Sequence, residues 1–173
     1  MRITISGTPG SGKSTVARTL AKRLGYRYVN TGQIFRDAAD ARAMTIQEFA
    51  RYVDAHPAVD RKLDAALLRE ARAHEDIILE GRLTGWLTKR ARIPALRLWV
   101  TARENVRVDR LMQRDGGTRQ ETLRKLRERA AGERMRYRKT YGIDLRSLSP
   151  YDVVIETDEL NSRQTAARIL MEL

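Results

Sequence analysis

The sequence predicts an α/β fold, a parallel sheet covered by helices on both faces, and three observations predict it. Five short strand-like segments, at 2–6, 26–30, 76–80, 96–101 and 151–157, alternate with segments of helical periodicity. Leu98-Trp99-Val100 and Val153-Val154-Ile155 are unbroken apolar triplets, the pattern of strands covered on both sides. The first strand also runs without a spacer into a glycine-rich turn that opens a helix.

That turn is Gly7-Thr8-Pro9-Gly10-Ser11-Gly12-Lys13-Ser14, a G-x-x-x-x-G-K-S sequence followed by Thr15 and a helical pattern to Gly25. Its glycines let backbone N–H groups turn inward onto nucleotide phosphates, Lys13 reaches the β- and γ-phosphate oxygens, and Ser14 holds Mg²⁺. A glycine-rich turn with a surface lysine is the alternative; the strand before and the helix after supply the context the motif requires.

About forty-five residues separate the second and third strands, far more than a crossover needs, and all read as helical. Thr31 is expected to cap a helix through Gln33 to Ala39, and Thr45-Ile46-Gln47-Glu48 forms a capping box for the next, which His56-Pro57 ends. A third helix, 58–73, carries Val59, Leu63, Ala66, Leu67 and Glu70 at spacings that give an apolar face with a polar rim. This inserted arm stands where a second substrate could be held. Beyond the fourth strand, 104–115 is amphipathic with Val108, Leu111 and Met112 inward, and Gly116-Gly117 breaks it. The segment 118–139 is a helix too charged to be core, stopped by Gly142, and the flanking glycines read as hinges of a lid. The last helix, 161–173, is N-capped by Asn161 and packs Ile169 and Leu170 on the sheet.

With 173 residues the chain suits one domain, with a core of 1–30, 71–113 and 141–173, an acceptor arm at about 31–70 and a lid at about 114–140. No stretch of eighteen apolar residues occurs and the chain begins in a strand rather than a leader, so a cytosolic protein with no membrane partner is expected. There is no cysteine, and His56 and His74 stand too far apart to form a metal cluster. The net charge of +12 attracts polyanions in general, but 13 basic and 6 acidic residues fall between positions 103 and 139, where a nucleotide enzyme folds over phosphates. A specific nucleic-acid partner is therefore not expected. The 28 Arg against 6 Lys favour forked contacts to phosphate, and equally fit base composition or adaptation to heat.

Phosphoryl transfer needs in-line oxygens and neutralised charge more than covalent help. Arg129, Glu133 and Arg136 lie at i, i+4 and i+7 on one face of the charged helix, with Arg127, Arg134 and Arg138 beside them. This is either a cationic lid or a solvated helix laced by ion pairs. The third strand ends in Glu80-Gly81-Arg82, at the end of a parallel sheet where ligands sit. There Glu80 could support Mg²⁺ through a water and Arg82 could clamp an acceptor phosphate, unless the two pair with each other. Thr31-Gly32 and Arg36 form a second anion seat or a simple cap. No residue of the crevice resembles a general base, which favours an acceptor that is itself a phosphate.

Together these residues resemble the archaeal-type cytidylate kinases. The likeness extends from Arg2 to about Thr157, through the phosphate loop, Thr31-Gly32-Gln33-Ile34-Phe35-Arg36, His56-Pro57-Ala58-Val59-Asp60-Arg61, Leu79-Glu80-Gly81-Arg82-Leu83-Thr84-Gly85-Trp86, Arg136-Tyr137 and Tyr141-Gly142-Ile143-Asp144. The resemblance implies a nucleoside monophosphate kinase fold with sheet order 2-3-1-4-5 that transfers the γ-phosphate of ATP to CMP or dCMP with Mg²⁺; a monomer is expected. It implies ATP contacts at Gly7, Thr8, Pro9, Gly10, Ser11, Gly12, Lys13, Ser14 and Thr15, acceptor contacts at Thr31, Arg36 and Arg82, and lid cations at Arg129 and Arg136. Gly-Arg-Leu after the third strand differs from the Gly-Phe-Pro-Arg of adenylate kinases. Leu83 replaces the aspartate with which bacterial cytidylate kinases help read cytosine, leaving Asp60, Arg61 and Asp64 of the arm as candidates for that task. The competing expectations are a kinase for AMP, UMP or a small metabolite such as shikimate or gluconate, and an ATP-switched RNA- or ribosome-binding factor.

Overall fold

The computed structural model describes residues 1–172. Five parallel strands, β1 (Arg2–Gly7), β2 (Arg27–Asn30), β3 (Ile77–Glu80), β4 (Leu96–Thr101) and β5 (Val153–Glu156), form one sheet in the order β2-β3-β1-β4-β5. The expected sheet order is the one observed. β1 is central, flanked by β3 and β4, so its carboxyl end and that of β3 open into the crevice where the order of the strands changes direction.

Alternation along β3 divides the core. Ile78 joins Ile3, Ile5, Leu98 and Val100 under helices α1 (Lys13–Leu24) and α8 (Ser162–Leu170), while Ile77 and Leu79 meet Leu67 of α4 (Pro57–Ala73) and Leu83 and Leu87 on the opposite face. The arm has a small core of its own. Phe49, on α3 (Ile46–Ala55), is fully buried with its ring edge-on to Phe35 of α2 (Thr31–Asp40) at 4.7 Å. The Thr45–Glu48 capping box forms as expected, and His56 lies between α3 and α4.

Several expectations are corrected. β5 is an edge strand, not a doubly covered one, and Val154, on the face opposite Val153 and Ile155, is 43% exposed. A short helix α5 (Thr84–Arg90) follows β3; seven residues containing Gly85 carry too little periodicity to announce it. Asn30, not Thr31, caps α2, its side-chain oxygen accepting from the Gln33 N–H at 2.9 Å. On α6 (Glu104–Asp115) only Val108 is buried, with Leu111 and Met112 half-covered. α7 (Arg119–Tyr141) is the long charged helix; of its residues only Leu126 and Glu133 are buried. Asn161 caps α8 with a capping box, and the end of the expected 161–173 helix at Leu173 lies outside the described residues.

Truncating Phe49 to Ala is expected to cost about 3–5 kcal/mol, the range for a fully buried ring whose site cannot collapse. Denaturant unfolding read at the midpoint checks it, and a loss below about 1 kcal/mol would show that the arm core does not exist as described.

Candidate active site

The β1 strand ends at Gly7, and the chain then wraps back on itself so that Gly12, with φ 86°, caps α1 in a left-handed conformation that side chains resist. Lys13 is thereby the first residue of α1, and the free N–H groups of that helix end face the loop. The Lys13 ammonium is only 14% exposed and stands 4.0 Å from Glu80 Oε1. Burial, joined by the positive charges of Arg82 and Arg129, lowers its pKa to about 8, against the pull of Glu80 and Glu133.

Glu80 is 3% exposed at the end of β3 and is the meeting point of three segments. It accepts from Ser14 Oγ at 2.9 Å, from the Tyr28 hydroxyl at 2.7 Å, and from Asn30 Nδ2. A serine hydroxyl bonded to one buried carboxylate is a hard-oxygen pair. Among the described residues no group of three His, Cys, Asp or Glu forms a protein cage. That donor set fits Mg²⁺, which takes one or two protein oxygens and fills its octahedron with phosphates and water.

Arg82 does not pair with Glu80. It donates to the Gly7 carbonyl and, through Nε at 2.6 Å, to Glu133 on α7. Glu133 also accepts from Arg129 Nε at 2.9 Å. Burial by itself would raise the Glu133 carboxyl, yet the two guanidinium groups hold it below its usual range. Thr31 packs so closely on Gly81 that any side chain there would overlap its hydroxyl. Arg36 is exposed and held only by Gln33, at 2.8 Å.

A cavity of about 760 Å³ lies between the arm and α7. Thr31, Arg36, Arg82 and Arg129 line it, Ile34, Phe35 and Leu63 give it apolar walls, and Asp54, Asp60, Asp64 and Arg136 stand together elsewhere on its surface. Arg136, expected among the lid cations, makes its contacts toward the arm. It ion-pairs with Asp60 at 3.5 Å and with Asp54 at 3.9 Å, and its guanidinium lies over the Phe35 and Tyr137 rings at 5.6 and 4.9 Å. Asp60 and Asp64, four apart on α4, share a face; Arg61, rotated away from it, is exposed and does not line the cavity.

The crevice also holds carboxyls of raised pKa, which the sequence did not reveal. Burial, with the charge of Asp60, pushes Asp64 up to about 6 although Tyr141 donates to it. Burial and Asp54 raise Asp60, opposed by Arg136. A second hollow, of about 440 Å³, opens on the other side of the loop between Gly10, Gly12, Arg110, Arg114, Thr157 and Asn161. Arg110 donates to Thr157 Oγ1 at 2.9 Å, and Thr157 Oγ1 donates to the Ser11 carbonyl at 3.0 Å, tying the loop to the end of β5. Arg110 was the residue sequence reasoning passed over, because it sits on a helix so rich in charge that spacing alone does not single it out; Glu133 was placed on its helix face, but its bond to Arg82 was not foreseen.

A sequence model of the cytidylate kinase-like family matches residues 2–159. The chain belongs to this family. Among the cytidylate kinases it resembles, that of Pyrococcus furiosus is 41% identical over 157 residues, spanning 91% of this chain and 80% of that protein. That of Thermoplasma volcanium is 38% identical over 170 residues, spanning 98% and 90%. The crystal structure of a shikimate kinase from Bacteroides thetaiotaomicron superposes with a TM-score of 0.68 at 15% identity over 100% of this chain and 99% of that one, a likeness of fold. For this family member no helix among the described residues is long and apolar enough to cross a membrane.

Asp64 makes the stability of this cytidylate kinase-like protein depend on pH. Its folded-state pKa lies above the ordinary carboxyl value, so the folded state holds the proton longer, and the contribution of Asp64 to stability grows as pH falls from about 6 toward 4. Above pH 6 the buried charge is a cost. Asp64→Asn is expected to raise the unfolding temperature at pH 7.5 and to lose that advantage by pH 4.5, as followed by calorimetry. A variant advantage that does not change with pH would exclude the titration.

Proposed function

We propose that this protein transfers the γ-phosphoryl group of ATP to CMP or dCMP, giving ADP and CDP or dCDP, with Mg²⁺ as the metal. The observation that carries the reading is a buried, depressed Lys13 at a phosphate loop, acted on by Arg82 and Arg129 at the edge of a second cavity with apolar walls and a polar group of carboxylates. Support also comes from relatives named cytidylate kinase at 41% and 38% identity.

In this reading the loop N–H groups and Lys13 hold the triphosphate, and the hollow beside Arg110 receives the donor's base side. Ser14, with Glu80 behind it, would hold Mg²⁺, which supplies charge neutralisation between the β- and γ-phosphates. Thr31, Arg36, Arg82 and Arg129 take the acceptor's phosphate, where forked guanidinium groups pair two oxygens at once. An acceptor phosphate oxygen then attacks the γ-phosphorus, and the bond to the β,γ-bridging oxygen breaks with ADP as leaving group. The attacking oxygen is already ionised, so no residue must remove a proton. Lys13 and Arg129 neutralise the charge that gathers in transit. The protein acts as a monomer in the cytoplasm, needing no nucleic acid, and 31–70 and 114–140 serve as acceptor arm and lid.

A coupled assay offering ATP, Mg²⁺ and a panel of CMP, dCMP, UMP, AMP and shikimate tests this, with CMP and dCMP expected to lead and chelation of the metal to stop turnover. Turnover on shikimate alone would overturn it. Lys13→Ala is expected to lower kcat by about two orders of magnitude, the scale seen when developing charge loses a fixed donor. Because the free-enzyme ammonium has a pKa near 8, kcat/KM for ATP is expected to fall as pH rises past 8, while kcat, measured with phosphates holding the proton on Lys13, falls only at higher pH. Identical alkaline limbs in the two profiles would remove Lys13 from that role.

A further inference from the structure

The carbonyls of the phosphate loop are bonded from outside in an alternating order. Arg82 donates to the Gly7 carbonyl, Arg107 Nη1 to the Pro9 carbonyl at 3.4 Å, and Arg110 Nη1 to the Ser11 carbonyl at 3.4 Å, where Thr157 Oγ1 joins it at 3.0 Å. The Thr8 carbonyl is used inside the loop, accepting from the Ser11 N–H at 3.3 Å. A trans peptide points its C=O and its N–H in opposite directions. Carbonyls of Gly7, Pro9 and Ser11 held outward therefore turn the N–H groups of Thr8, Gly10 and Gly12 inward, where a loop of this kind receives phosphates. The Thr8–Pro9 peptide has no N–H to aim, and that of Ser11 is already spent, so the alternation covers every other N–H from Thr8 to Gly12.

Converging N–H dipoles repel one another until an anion arrives, and glycine backbone resists a peptide flip less than any other. Gly10 and Gly12, with φ 79° and 86°, are in that position. Turning over the Pro9–Gly10 peptide would put a carbonyl lone pair where a phosphate oxygen must come. Of the three guanidinium groups, Arg82 and Arg110 line the two cavities and have further partners in Glu133 and Thr157. Arg107 lines neither cavity. It is half-buried on α6, and among the described residues its side chain donates to the Pro9 carbonyl alone. The helix is seated on the loop at this same residue: a Cβ at Gly10 would lie 2.9 Å from the Arg107 carbonyl oxygen and 3.0 Å from the Arg107 Cβ.

We propose that Arg107 is a positioning residue for the donor nucleotide, holding the Pro9 carbonyl outward so that the Gly10 N–H is aimed at the triphosphate before ATP arrives. This rests on the phosphate-loop reading above. A cation on the carbonyl also polarises the peptide, which makes the N–H on its other side a stronger donor. Arg107 acts through the backbone and faces neither cavity, so its removal weakens the donor and leaves the acceptor unaffected. Arg82 and Arg110 cannot be tested so cleanly, because in the proposed reaction each also meets a nucleotide.

The test measures KM for ATP and for CMP, and by calorimetry the binding of the β,γ-imido analogue of ATP, in the native protein, Arg107→Met and Arg107→Lys. Methionine keeps the stem and removes the donor, so KM for ATP and the dissociation constant of the analogue are expected to rise roughly tenfold, the scale of one lost hydrogen bond to a charged group, with KM for CMP within about twofold of native. Lysine keeps a charged donor without the planar fork and is expected to bring the loss back to about threefold, again on the donor alone. That graded recovery is a result that mere filling of space by the side chain would not give. A native protein that binds no analogue overturns the phosphate-loop reading itself. A native protein that binds it, with an Arg107→Met variant that binds it equally well, overturns only the positioning role. Equal losses on ATP and CMP overturn that role as well, since they mark a general loosening of the fold. If Arg107→Met does not fold, Arg107→Lys carries the test: a threefold loss confined to the donor is the expected result, and no loss, or the same loss on CMP, overturns the proposal.

Discussion

Glu80 is the constraint on which the site depends. A carboxylate 3% exposed at the end of an inner strand is costly unless donors surround it, and its donors come from places far apart in the chain: Ser14 on α1, and Tyr28 and Asn30 on β2. They converge because the sheet order sets β3 between β2 and β1. The same order delivers the phosphate loop from the end of β1 to the side of that carboxylate. Lys13, 4.0 Å away, gains part of the compensation but is also exposed to the fields of Arg82 and Arg129. Its depressed pKa records burial first, with Arg82 and Arg129 adding to it against the pull of Glu80, and a triphosphate is a natural counterion for an ammonium so withdrawn from water.

Glu133 manages the surplus in the absence of nucleotide. It is the single buried charged residue of α7 and bridges Arg82 and Arg129, the two cations nearest Lys13 in electrostatic terms. Tyr137 and Tyr141 seat the end of α7 on the core, but before them only Leu126 is a buried apolar side chain, and that stretch is held by exchangeable polar contacts such as Arg127 to Glu104 at 2.7 Å. Exposed ion pairs of that kind contribute about 0–1 kcal/mol each. Gly116, Gly117 and Gly142, with φ between 64° and 90°, stand at its two ends. A helix stretch attached this way shifts at far lower cost than one seated on a hydrophobic stripe, as the lid proposed for this segment requires.

The sheet, the phosphate loop and the arm were legible because each rests on local pattern. Strand periodicity, the glycine spacing at Gly7 to Gly12 and the Thr45–Glu48 box are written within a few residues of one another. What was not legible depends on pairing across the chain. Val153-Val154-Ile155 has the composition of an inner strand, and only the sheet order makes β5 an edge. Asn30 and Thr31 are both good caps, and Asn30 takes the position because β2 ends there. Glu80 and Arg82 are two residues apart, yet on a strand end they turn to separate partners, Ser14 and Glu133, that no spacing rule connects. The partner of Arg136 was hidden for the same reason: its helix face was evident, but that the arm would bring Asp60 to it was not.

The raised carboxyls of the arm invite reading as a catalytic base, and the chemistry of the acceptor argues against it. A base is required when a hydroxyl attacks, and it must lie within reach of that hydroxyl beside the donor's γ-phosphate. Asp64 is instead bonded to Tyr141 and shifted chiefly by burial, while the charges felt by Lys13 come from Glu80, Arg82, Arg129 and Glu133 and include neither Asp60 nor Asp64. Carboxylates withheld from the transfer region keep it positive, which speeds attack by an anionic oxygen. The cavity is thus divided in charge, with carboxylates gathered about Arg136 in one part and guanidinium groups acting on Lys13 in the other, and in the proposed reaction an acceptor phosphate is drawn to the second.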